Sequence, residues 1–163
     1  MAFGMGFPVN NEDRLEQLAT GFQQHSGGLL NGCVLAMDGF GVRLCCPFVN
    51  DVSRQKDYWF WKSGFAIIVL AGTDIDGRFI CATASHSGST NDVKVWEDTS
   101  LYQFLEIERG LPEPFFISDE AFTYMSQFLS PWQGRGLDGY KDSFNYWLSH
   151  SRQCVEQAFG MLT

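Results

Sequence analysis

The chain has 163 residues, 45% of them hydrophobic and 15% aromatic, with a net charge of -8. That length suffices for one domain with a real core, and the composition excludes a disordered chain. The charge excludes bulk attraction to DNA or to acidic membranes, but not nucleic acid as a substrate, because a cation-binding cluster of carboxylates is acidic by construction.

Residues 1 to 9 (MAFGMGFPV) are Gly-rich and are expected to be loose. A helix is predicted from Asn10 or Asn11, with Glu12 and Asp13 in its first turn and Leu15, Leu18, Ala19 and Phe22 as its apolar stripe, ending at Ser26-Gly27-Gly28. Cys33 to Met37 reads as a buried strand, and Val42 to Cys46 as a second strand after a Gly-containing turn. Pro47 to Tyr58 is a polar loop. Phe65 to Gly72 is a continuous apolar run suited to a central strand, and Asp74-Ile75-Asp76-Gly77 turns it back into Arg78 to Ala84. Ser85 to Asn91 is a loop able to cap a helix over Val93 to Leu105, broken near Thr99. Pro112 and Pro114 mark a boundary, Phe115 to Ser118 is a short buried strand, and Glu120 to Leu129 reads as a helix. Pro131 to Asp142 is a Gly-rich loop, and the chain is helical from about Ser143 onward.

This order predicts an α/β sheet with a meander at one edge, of the ribonuclease H-like kind, if the first strand and the strand at 115 are neighbours. A segment of residues 1 to 31 would lead into a core of residues 32 to 163. Five cysteines, an odd number with no CxxC pair, point to a reducing compartment. Cys45, Cys46, His86, His150 and Cys154 have none of the familiar zinc spacings. Met1 to Asn10 lacks the basic start and apolar run of a signal peptide, and the apolar run at Phe65 to Ala71 is too short to span a bilayer.

Three acids stand out by position. Asp38 and Asp119 each end an apolar run, and Glu156 lies in the last helix, with 36 residues between it and Asp119. Two carboxylates at strand ends and one on a late helix are what a two-metal phosphoryl-transfer site needs. Each has a plainer reading: Asp38-Gly39 is a common turn pair, and Asp119 can cap the next helix. At 100° per residue, Asn145, Ser149, Arg152 and Glu156 fall within about 60° of one another, beside an apolar stripe of Phe144, Leu148, Val155 and Phe159. Arg152 is then either an intrahelical partner of Glu156 or a phosphate contact that orients it. Asp92 caps the next helix or supports the site from behind. Arg54, Lys56 and Lys62 surround YWFWK, a mixture of rings and cations that can bind nucleic acid or form a hydrophobic edge against another domain.

Five segments together carry a family resemblance: GCVLAMDGFGVRLCCP (32 to 47), KDYWFWKSGFAI (56 to 67), DIDGRFICATASHSGSTNDVKVW (74 to 96), FFISDEAF (115 to 122) and FNYWLSHSRQCVEQAFGML (144 to 162). Across residues 21 to 162 the chain resembles the catalytic domain of PIF/Harbinger-type transposases, which are DDE superfamily endonucleases. The resemblance implies a ribonuclease H-like fold, two Mg²⁺ or Mn²⁺ ions, and cleavage and joining of DNA, with transposon ends and target DNA as partners. It puts the acidic triad on Asp38, Asp119 and Glu156, and marks Asp92 as a typical residue of unsettled role. It also implies a nuclear protein, cytoplasmic before import, that is not secreted and has no membrane partner. A separate DNA-binding partner protein and a homo-oligomer remain open. The chain departs from the family at Trp61-Lys62-Ser63-Gly64, where an Arg-Lys-Gly run is usual, at Glu120, and at Asn91. Family members carry a helix-turn-helix region ahead of this core and continue past FGML, so the chain is expected to be truncated at its C-terminus. A catalytically inactive, truncated or domesticated interaction module is the alternative.

Overall fold

A computed structural model describes residues 6–62, 64–108, 115–123 and 125–162. The elements are α1 (Glu12–His25), β1 (Cys33–Arg43), β2 (Trp59–Phe60), β3 (Gly64–Thr73), β4 (Phe79–Ser87), α2 (Asp92–Glu97), α3 (Ser100–Glu108), β5 (Phe115–Ile117), β6 (Phe128–Leu129) and α4 (Gly139–Gly160), with short 3₁₀ turns at Gln55–Tyr58 and Glu120–Phe122. The expected boundary at Pro112 and Pro114 and the first five residues lie outside the described residues.

The sheet runs β2-β3-β1-β5-β6, with β4 also paired to β3. β1, β3 and β4 form the antiparallel meander. β5 joins the other side of β1 in parallel, pairing Leu35 with Phe116 and Ala36 with Ile117, and β6 extends the parallel part. This is a mixed sheet flanked by helices, the ribonuclease H-like α/β arrangement, with the first strand and the strand at 115 adjacent as the sequence predicts.

Strand alternation divides the core between the two faces. Leu35, Met37, Ile68, Leu70 and Phe116 pack with Val95 and Trp96 of α2. Ala36, Ala71 and Ile117 pack with Leu148, Val155 and Phe159 of α4, and Phe40 joins this side. Trp96 is fully buried and meets Phe116 and Phe128 edge-on at 5.5 and 5.2 Å. The predicted apolar stripe of the last helix is therefore the face that covers the sheet.

Several expectations change. The stretch from Cys33 to Arg43 is one strand, not two separated by a turn, and Val42 to Cys46 is not a strand of its own. Gly39 and Gly41 are not turn residues; a Cβ on Gly39 would overlap the Asp92 carboxylate, and one on Gly41 would press into the Phe60 ring. Glycine in this strand marks close approach by other side chains. The predicted helix from Glu120 to Leu129 is a single 3₁₀ turn followed by β6. Its helical spacing is overridden by pairing with β5 and by stacking of Phe122 on Phe128 at 4.3 Å. α4 starts before Ser143, because the Asp138 carboxylate accepts from the backbone N–H groups of Tyr140 and Lys141. Phe7, expected in a loose segment, is buried edge-on to Phe116 at 5.8 Å.

Other expectations hold in detail. Asn11 caps α1, accepting from the Arg14 N–H at 3.0 Å. The break near Thr99 is real. Its hydroxyl donates to the Trp96 carbonyl at 2.7 Å, ending α2, and accepts from the Tyr102 N–H at 3.1 Å, starting α3. Among the described residues, no helix is long and apolar enough to cross a membrane.

Candidate carboxylate site on strand β1

The parallel register of β1 and β5 positions the first two acids. Ala36 lies opposite Ile117, and both side chains belong to the cluster under α4. Two residues further along, Asp38 and Asp119 follow at the same step of the two chains. β5 has ended by then, while β1 continues to Arg43. Asp38 thus sits mid-strand rather than at a strand end, where its carboxylate is three-quarters covered, and its Oδ1 accepts from the Gly39 N–H at 3.0 Å. Asp119 is the N-cap of the following 3₁₀ turn, accepting from the Ala121 N–H at 2.9 Å. The capping role foreseen for it is real and occupies one of its oxygens.

α4 supplies the opposing wall. Arg152 donates to Glu156 Oε1 at 2.7 Å, and the same guanidinium nitrogen lies 4.0 Å from Asp38 Oδ2. The intrahelical pair and the contact across to β1 coexist. The Arg152 side chain is only 16% exposed, whereas that of Glu156 is 51% exposed. Arg152 Nε is buried with no hydrogen-bond partner among the described residues. Further up the same stripe, Asn145 grips the Trp132 backbone twice, accepting from its N–H at 2.8 Å and donating to its carbonyl at 2.9 Å.

Asp92, in the first turn of α2, approaches from the other face. Its carboxylate rests against Gly39, in space that any side chain there would fill. The helix cap itself falls to Asn91, which accepts from the Lys94 N–H at 2.8 Å. The capping role weighed for Asp92 thus belongs to its neighbour.

The acids feel one another. Burial pushes the Asp38 carboxyl above the usual carboxylate range; Arg152 and the Gly39 N–H hold it down, while Asp119 and Glu156 push it further up. Burial, then Asp119 and Asp38, raise Asp92 to about 6, with Lys62 opposing. Lys62 is thus the expected cation that reaches the site; its ammonium also lies over the Trp61 ring at 5.1 Å. Arg54 is engaged with Asp57 at 3.5 Å, and Lys56 is exposed in the 3₁₀ turn before β2. Beside Asp38, a groove of about 440 Å³ follows β1 beyond the end of β5, lined by Phe40, Phe60, Phe159, Arg43 and Lys62 among others.

Among the described residues, no three His, Cys, Asp or Glu side chains stand as a ready metal-ligand set. The chemistry of the donors nonetheless fits a hard divalent cation, since all are carboxylate oxygens. The Gly39 gap that admits Asp92 and the orphaned Arg152 Nε are features of a polar site, not of a packed core. What separates Asp38 from Glu156 is a guanidinium.

The sequence missed Gly39 as part of the site. The signal was present in Asp38-Gly39 but read as a turn, because the approach of Asp92 comes from a helix more than fifty residues away.

Comparison with known proteins gives the family. A family model described as DDE superfamily endonuclease matches residues 37–163. Protein ALP1-like of Arabidopsis thaliana is 24% identical over 161 residues, covering 91% of this chain. The chain spans 39% of the length of that relative. No solved structure matches. With most of its length matched, and with the mixed sheet such a nuclease needs, the chain belongs to the DDE superfamily endonucleases, in a Harbinger-type transposase relationship.

Proposed function

We propose that residues 32–163 form a metal-dependent nuclease core that cleaves and joins DNA phosphodiesters. Asp38, Asp119 and Glu156 are its metal-holding carboxylates. The observation that carries this reading is the parallel β1–β5 register, after which Asp38 and Asp119 follow at the same step, with Glu156 of α4 joined to the Asp38 side by Arg152. Two Mg²⁺ or Mn²⁺ ions, when bound, would supply an activated water and neutralise the leaving oxygen.

The protein's own part is positioning. Asp38, fixed on a strand paired on one side by β3, is the rigid anchor. Asp119 holds its place through its cap on the 3₁₀ turn. Asp92 supports from behind through Gly39, and Lys62 and Arg43 offer positive charge to a DNA strand lying in the groove along β1. DNA, comprising transposon ends and target, is the proposed substrate and partner, and the nucleus the proposed location.

The test is nicking of supercoiled DNA in Mn²⁺ or Mg²⁺ by the wild type and by Asp119→Ala, with metal binding measured in parallel. Metal-dependent nicking that disappears in the variant is expected. Nicking that persists unchanged would remove Asp119 from the site.

A second reading has one observation in its favour. Phe48, Val49, Trp59 and Trp61 are all more than half exposed around the 48–61 segment. Such a patch suits a protein interface, as a non-catalytic interaction module derived from a transposase would need. Absence of metal binding by the wild type would favour it.

A further inference from the structure

Arg152 has no role in holding a metal, yet its side chain is more enclosed than those of Asp38 and Glu156. Its guanidinium is the cation nearest to Asp38 and is bonded to Glu156. Four acids, Asp38, Asp92, Asp119 and Glu156, converge here against Arg152 and Lys62. Without a countercharge, buried carboxylates at this spacing would repel one another.

The arrangement is a compromise. A guanidinium carries five N–H donors in a fixed fork. One of its nitrogens serves Glu156 and leans toward Asp38 at 4.0 Å, too long for a hydrogen bond, while Nε is buried without an acceptor among the described residues. The fork is therefore poorly satisfied by the carboxylates that hold it. It matches a group offering two oxygens side by side, as a phosphodiester does.

We propose that Arg152 is a place-holding cation. It offsets the charge of Asp38 and Glu156, the carboxylates that would hold a divalent ion. With such an ion bound, Arg152 would turn its fork, Nε included, to a phosphate oxygen of the DNA. Metal and DNA binding would then be coupled: the ion releases the arginine, and the arginine engages the phosphate. This rests on the proposed function, since it requires Asp38 and Glu156 to bind metal.

The proposal makes Arg152 a competitor of the metal, opposite to what a supporting residue would be. The experiment is Mn²⁺ titration by calorimetry on the full chain, free of DNA, for wild type, Arg152→Met and Asp38→Asn. Thermal melts in EDTA and in Mn²⁺ accompany it. Arg152→Met should bind Mn²⁺ about tenfold more tightly than wild type. It should melt lower than wild type in EDTA and gain more from Mn²⁺. A short DNA duplex should bind wild type more tightly when Mn²⁺ is added, and this gain should vanish in Arg152→Met. If Arg152→Met does not fold, Arg152→Lys carries the test, because an ammonium lacks the fork and holds the two carboxylates less well. It too should bind Mn²⁺ more tightly than wild type. Equal or weaker Mn²⁺ binding by the variant, with wild-type binding intact and lost in Asp38→Asn, would overturn the inference while leaving the metal site standing. Failure of both wild type and variant to bind Mn²⁺ would overturn the metal reading and this inference with it.

Discussion

The two faces of β1 handle a buried carboxylate differently. Toward α4, Asp38 has a cation carried on a 22-residue helix, fixed by the packing of Leu148, Val155 and Phe159. Toward α2, the charge opposing burial of Asp92 is that of Lys62, an exposed residue between β2 and β3 whose ammonium also lies over Trp61. Both carboxyls are pushed upward by burial, and the one with the loosely held cation reaches about 6. The difference shows that burial alone does not set the charge of an acid here. The groups that oppose burial differ as well: Asp38 has Arg152 and the Gly39 N–H, Asp92 has Lys62.

The largest expected effect tests whether the two faces are functionally unequal. Asp38→Asn should reduce metal-dependent nicking by more than about 100-fold, whereas Asp92→Asn, which supports the site without holding the ion, should reduce it by about 10- to 100-fold. Equal losses, measured as initial nicking rates at saturating Mn²⁺, would make Asp92 a partner of Asp38 and erase the distinction.

Next comes the strand that divides the faces. Gly39→Ala forces a methyl group into the Asp92 carboxylate. The overpacking should cost about 1 to 3 kcal/mol in urea denaturation. Combining it with Asp92→Ala should recover part of that loss, because the clash is with one named side chain. A Gly39→Ala variant as stable as wild type would mean that α2 can retreat, and that the two faces are not wedged together.

The order α/β/meander, the buried strands, the caps at Asn11 and Thr99 and the apolar stripe of α4 were legible in the sequence, because each is set by local spacing or by a single polar side chain. The acids Asp38, Asp119 and Glu156 stood out in the sequence by their positions at the ends of apolar runs and on the last helix, and by the family resemblance. What was not legible depended on distant partners. Gly39 and Gly41 look like turn residues until the Asp92 carboxylate and the Phe60 ring are laid over them. The stretch Glu120 to Leu129 looks helical until β5 offers its edge to Phe128. The double use of Arg152, one bond within its helix and one approach across to β1, required knowing that Asp38 stood opposite.

A pH series in EDTA sharpens the contrast in charge state. An unfolded aspartate titrates near pH 4, and Asp92 in the folded protein near about 6. Below about pH 4 both states carry the proton and the contribution to stability is complete. Between these values the folded state binds more protons than the unfolded state, so stability must fall as pH rises. The fall should be about 2 kcal/mol after allowance for partial exposure. Asp38 acts in the same direction. Asp98, held below the usual range by Lys94 and His86, acts in the opposite direction at lower pH and falls outside this window. Asp92→Asn should flatten most of the slope between pH 4 and 6 in urea titrations, and a slope that survives unchanged would shift the raised carboxyl to Asp38.

The smallest effect isolates the helix that makes the α4 face rigid. Asn145 lies on the same stripe as Arg152 and Glu156 but meets only the Trp132 backbone, through two hydrogen bonds. Asn145→Ala should cost about 1 kcal/mol, the usual net worth of such bonds when the freed backbone groups can reach water. Arg152 is two turns further on, held by its own contacts, so Mn²⁺ affinity should not change. If affinity does change with the loss of Asn145, the cation opposite Asp38 owes its position to the whole length of α4 and not to the packing beneath its second half. The contrast between the two faces would then be one between a long rigid element and a short one, rather than between a guanidinium and an ammonium.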